Sequence, residues 1–162
     1  MSIITDRFLQ EAEKKKLEFS SRVVERSLKD KKGNEIPHEQ LILQTALRVS
    51  EEKVVPCSIF IHDTDDMDYV NYQITYNRIG LVTDRNELPN ILEKINEINS
   101  MNSGYYHFAV NPDGELHMRN LGILGIDPLP TLNTFMHGGR ILRGIMPELS
   151  ELEGLDLSNN LD

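Results

Sequence analysis

Apolar residues recur along this chain at two periods, about 3.6 and 2, and the changes between them mark out its elements. Near the start, Phe8, Leu9 and Ala12 fall on one helical face while Glu11, Glu13 and Lys14-Lys15-Lys16 fall elsewhere. That predicts a short amphipathic helix from about Thr5 to Leu17, with Thr5 as cap and Ile4 and Leu9 at the spacing of a hydrophobic staple. Residues 18 to 28 set Phe19, Val23, Val24 and Leu28 among charges, which leaves a strand and an irregular stretch both open. Lys31-Lys32-Gly33-Asn34 reads as a turn, and Pro37 is expected to break any continuing ladder. Strict alternation then begins: Leu41, Leu43, Thr45, Leu47 and Val49 share a face over 41–49. A nearly continuous apolar strand follows at 57–62, and Val70, Tyr72, Ile74 and Tyr76 alternate over 69–76. Short connections between these three strands predict an antiparallel meander with one covered face.

The helical period returns at 86–99, where Leu88, Ile91, Leu92, Ile95 and Ile98 form one stripe behind Asn86 as cap and Pro89 in the first turn. Asn102-Ser103-Gly104 stops it. Tyr105–Val110 and Glu115–Leu121 flank Asn111-Pro112-Asp113-Gly114, the chemistry of a bulged hairpin turn. The apolar pattern sets Val110 opposite Leu116, Phe108 opposite Met118 and Tyr106 opposite Asn120. A slip by one residue would bury His107 and His117 instead. A last helix opens at Asp127-Pro128, with Leu129, Leu132, Phe135 or Met136, Gly139, Leu142, Ile145 and Leu149 recurring at spacings of three and four. Gly138-Gly139 inside it suits a close approach to a neighbour, and Pro147 should kink or end it near residue 146. From Ser150 onward the chain is acidic and expected to be loosely ordered, so the domain is placed at 1–149 and the tail at 150–162. The fold class is α+β, an antiparallel sheet with helices mainly on one face.

From about residue 86 onward the details resemble the YbjN family, whose fold is similar to that of type III secretion chaperones. The resemblance rests on the helix Leu88-Pro89-x-x-Leu92-x-x-Ile95-x-x-Ile98, the aromatic strand Tyr105-Tyr106-His107-Phe108, the Pro-Asp-Gly turn, and the helix entered by Leu129-Pro130. It implies a small, acidic, usually dimeric cytoplasmic protein that holds segments of other proteins and catalyses nothing. Four strand-like segments precede the middle helix here, one more than that fold has. Either 18–28 is irregular or the sheet is extended.

Length and charge narrow the function classes. A domain of 162 residues buries roughly 70% of the surface of its unfolded chain, so neither disulfide nor metal is required for a core. Cys57 is the only cysteine and lies in an apolar run, which favours a packed, inert thiol. The start carries no basic and apolar segment of a signal peptide, and no apolar run approaches the ~20 residues of a membrane helix, so the expected compartment is the cytoplasm. Lys and Arg number 17 against 26 Asp and Glu, a net charge of −9, which repels nucleic acid.

Candidate chemistry is sparse. His62-Asp63-Thr64-Asp65-Asp66-Met67-Asp68 offers His62, Asp63, Asp65 and Asp68 to a hard cation, the basis of a rival reading as a metal-dependent hydrolase. It lacks the glycine and distal glutamate of a calcium loop, and a hydrated acidic turn explains it at less cost. His107 and His117 share the non-core face of the hairpin. His137-Gly138-Gly139-Arg140 lies inside a helical pattern, where it cannot act as an oxyanion loop. No catalytic residue, cofactor or metal is therefore expected. The expected function is protein binding, chaperone-like or regulatory, through Phe135, Met136, Ile141, Leu142, Ile145 and Met146 on the last helix or through an open sheet edge. Gly138 and Gly139 suggest a symmetric dimer. The competing arrangement has the chain's own first helix and tail covering that face. A further alternative is an immunity protein that neutralises a basic partner by charge.

Overall fold

The computed structural model describes residues 1–63 and 68–158. It is an α+β fold with a seven-stranded antiparallel sheet. The elements in chain order are α1 (Ile3–Lys14), β1 (Ser20–Lys29), β2 (Glu35–Arg48), β3 (Val54–Asp63), β4 (Val70–Val82), α2 (Leu88–Met101), β5 (His107–Val110), β6 (Glu115–Leu124), α3 (Leu129–Ser150) and β7 (Leu155–Asp156). Strand order is β1-β2-β3-β4-β6-β5, and β7 pairs separately with β4. No helix among the described residues is long and apolar enough to cross a membrane.

Two compact units divide the chain, each taking part of the long strands. The first comprises residues 1–45, 58–74 and 121–133. Here α1 buries Ile4, Phe8 and Ala12. Its cap is Ser2, whose hydroxyl accepts from the Thr5 amide, so the expected cap Thr5 is instead a buried residue of the first turn. The doubtful segment 18–28 is a strand after all: β1 pairs antiparallel with β2 from Ser20↔Gln44 to Lys29↔Glu35. Pro37 does not break that ladder. It lies near the hairpin tip opposite Ser27, where a missing N–H removes at most one bond. The turn is held by Asp30, whose carboxylate accepts from the amides of Lys32 and Asn34, with Gly33 at φ +84°.

The second unit comprises residues 46–57, 75–120 and 134–162. Its core includes Val55, Tyr76, Ile79, Ile91, Ile95, Ile98, Tyr106, Phe108, Leu116 and Met118. A 3-10 turn (Arg85–Glu87) capped by Asp84 precedes α2, displacing the expected cap Asn86 by two residues. The Asn99 side chain pins α2 to β5, donating to the Phe108 carbonyl at 2.9 Å and accepting from its amide at 2.7 Å. The hairpin has the expected register, with Val110↔Leu116 and Phe108↔Met118, and Gly114 at φ +90°. Pro147 neither ends nor breaks α3, which runs on to Ser150; at an exposed position the helix forgoes one hydrogen bond. The first residues of the segment after α3 join the sheet. Leu155 and Asp156 pair with Val82 and Leu81, which supplies partners for backbone groups that would otherwise need water.

β4 is longer than its alternation suggested because the pattern changes phase within it. Val70, Tyr72, Ile74 and Tyr76 are buried, and then Ile79. Arg78, between them, sits at φ +53°. A side chain in that region costs roughly 1–2 kcal/mol. The Arg78 amide donates to Glu115 Oε1 at 3.0 Å and its carbonyl accepts from Lys53 Nζ at 2.9 Å.

Candidate functional site

The last helix is used largely by the chain itself. Leu142 and Ile145 are fully buried and Phe135 nearly so, Ile141 and Met146 are half-buried, and Met136 is exposed. Two tyrosines of the second unit grip α3: Tyr76 Oη donates to the Phe135 carbonyl at 2.9 Å and Tyr106 Oη to the Thr134 carbonyl at 2.8 Å. The glycines expected to admit a second helix face the chain's own side chains. A methyl at Gly138 would lie 2.6 Å from Tyr106 Oη and 2.9 Å from Tyr76 Cε2, and one at Gly139 would lie 3.1 Å from Leu47. The close approach inferred from these residues exists, and the neighbour is the sheet.

The first unit presents a different surface. β1 stands at one end of the strand order, with β2 as its only strand neighbour among the described residues. None of its ten residues is buried. Val23 and Leu28 are 48% and 51% exposed, and Ile36, opposite Leu28, is 48% exposed. Arg22, Glu25, Arg26 and Lys29 mix both signs along it. An exposed strand leaves a row of amides and carbonyls available for pairing.

Next to this edge, Arg26 lies opposite His38, and His38 Nε2 is 3.2 Å from His62 Nδ1. His38 is only 8% exposed. Burial, then the proximity of His38 and Arg26, hold the His62 imidazole below its usual range. Of the proposed metal cluster, His62 and Asp63 are directed apart. Consecutive strand residues point to opposite faces, so Asp63 turns away from His62 and accepts from the Ser2 amide at 2.7 Å. Asp68 is exposed, and Asp65 lies outside the described residues. On the hairpin His107 is exposed, while burial and then Arg119 lower the His117 pKa. Among the described residues, no three His, Cys, Asp or Glu side chains gather where they could share a metal ion. Burial pushes the Cys57 thiol up to about 12, which leaves it protonated and unreactive at neutral pH.

Sequence reasoning passed over Lys53. It is 5% exposed and donates from Nζ to the Arg78 carbonyl at 2.9 Å and the Ser158 carbonyl at 3.4 Å. Burial lowers its pKa, and nearby Asp156 opposes that. A cavity of about 170 Å³ opens beside it, lined by Arg78, Gly80, Glu115, Asp156 and Ser158 among others. The only signal in the sequence was a charged residue directly before the apolar run Val54-Val55, the usual place for a solvated lysine.

No protein-family model matches the chain, and no curated protein matches it.

Proposed function

We propose that this chain is a non-catalytic protein-binding module of the cytoplasm that takes an extended segment of a partner along the outer edge of β1. The observation that carries this reading is β1 itself: ten residues, one strand neighbour among the described residues, no buried side chain, and apolar Val23 and Leu28 half exposed. Strand addition at such an edge draws affinity from main-chain hydrogen bonds and selectivity from alternate side chains. The resemblance of residues 86 onward to the YbjN family agrees with it, since type III secretion chaperones hold segments of other proteins.

Two proline variants test the edge. In Val23→Pro and Val24→Pro, one lost amide faces β2 and the other faces outward. The outward one should leave thermal stability nearly unchanged and abolish capture of a partner that wild type recovers from the native host. Equal capture by that variant would remove β1 from the interface. The rival hydrolase is checked by thermal shift over Ca²⁺, Mg²⁺, Mn²⁺ and Zn²⁺, because a metal bound only by the native state must raise its stability. A stabilising metal at micromolar concentration would overturn the non-catalytic reading.

A further inference from the structure

The segment after α3 is bound as a ligand would be. It turns at Gly154, at φ +78°, whose carbonyl accepts from the Thr83 amide at 2.8 Å. It then lies along the end of β4 with Val82↔Leu155 and Leu81↔Asp156 as its only strand pairs among the described residues. The neighbouring Val82 amide goes instead to the Gly114 carbonyl, so this end of β4 is paired on both sides. Leu155 and Leu157 straddle Gly80. A side chain begun there would meet Leu157 Cδ2 at 2.8 Å and Leu155 Cδ1 at 3.1 Å. Beyond them, the buried Lys53 ammonium holds the Ser158 carbonyl, and Asp156 lines the same cavity.

Without this occupant Gly80 leaves a gap, and Lys53 keeps the Arg78 carbonyl at 2.9 Å but loses that of Ser158. Glycine inside a strand weakens it, and a lysine buried beside apolar strand residues needs acceptors. Together they form a seat: a gap for two leucine side chains, edge amides, and a cation near the residue between the leucines. We infer that this seat is a second recognition site, for an extended partner segment in which an acidic residue stands between two leucines. Leu155–Ser158 is then its resident occupant. The inference rests on the chain being a protein-binding module. A segment held by two strand pairs belongs to the part of a structure that opens most readily, so a partner segment can replace it.

The test uses the full chain and a labelled peptide Gly-Leu-Asp-Leu-Ser, read by fluorescence anisotropy. Leu157→Asp should loosen the resident segment and bind the peptide at least tenfold more tightly than wild type does. Adding Gly80→Val, which fills the gap, should abolish that binding. Lys53→Gln should erase the preference for Asp over Lys at the middle of the peptide, a second readout that holds if the Gly80 variant folds poorly. No saturable binding by Leu157→Asp, equal binding by wild type, or binding that survives Gly80→Val would overturn the seat. A partner captured equally by wild type and Gly80→Val, yet lost from the β1 proline variant, overturns the seat and leaves the module standing. Peptide binding at the seat with capture unaffected by both β1 prolines keeps the seat and removes β1 from the interface.

Discussion

Gly138 and Gly144 stand six residues apart on α3 in unlike surroundings, and the same substitution should act in opposite directions at the two. A methyl at Gly138 meets the Tyr106 ring and hydroxyl inside 3 Å, so Gly138→Ala should cost about 1–3 kcal/mol through overpacking. At Gly144 nothing lies within 4 Å, and alanine should stabilise the helix by about 0.5–1 kcal/mol through lost unfolded-state entropy. Urea unfolding of both variants measures the contrast. His62 gives a pH effect with a definite sign. Its folded pKa lies below the ordinary 6.5, so the unfolded chain binds the proton first as pH falls. Stability present above pH 6.5 should therefore decline below it, and His117 acts in the same direction. Melting temperatures between pH 7.5 and 5 should fall less steeply in His62→Gln; an unchanged slope would clear His62 of the effect. The histidine effect was not visible in the sequence, because the Arg26, His38 and His62 row exists only once three strands are side by side.

Elements were legible where burial imposed a period. The β5–β6 register followed from Phe108, Val110, Leu116 and Met118, since the alternative placed two histidines in the core. β1 was not legible for the converse reason: none of its side chains is buried, so no alternation marks it. β4 was cut short because Arg78 resets its phase, and no composition rule places an arginine at positive φ. The caps at the first helix and at the turn before α2 were misplaced by three and two residues, because several suitable side chains stand in a row there and only geometry chooses among them. At the start of α3, by contrast, Asp127 accepts from the Leu129 amide. Ser2→Ala should lower stability by about 1 kcal/mol, whereas Asn86→Ala should change it by only a few tenths, since its amide and not its side chain takes part in the Asp84 cap. Chemical denaturation of the two variants decides it.

The pattern of α3 revealed too many apolar residues for one stripe but not what covers them. That depends on Tyr76, Tyr106 and Leu47, which reach the helix from distant parts of the sequence. With Gly138 and Gly139 filled from within the chain, Ile141→Asp should leave the mass measured by light scattering unchanged. A dimeric wild type converted to monomer by Ile141→Asp would restore the helix-to-helix contact. The charge of −9 bears on the immunity alternative. Strand addition at β1 should lose little affinity between 50 and 500 mM salt. Steep loss would indicate a partner steered by charge, because screening shortens the reach of exposed charges to a few ångström near 1 M.

The tyrosine grip on α3 makes the molecule its own optical indicator. The chain has no tryptophan and five tyrosines, so its near-ultraviolet absorbance belongs almost wholly to phenols. Burial, and then Cys57, hold the Tyr76 hydroxyl above the usual phenol value of 10 while it donates to the helix. Phenolate cannot donate, so Tyr76 can ionise only as α3 lifts away. An alkaline titration should show a late, abrupt phenolate absorbance step that coincides with loss of helical circular dichroism.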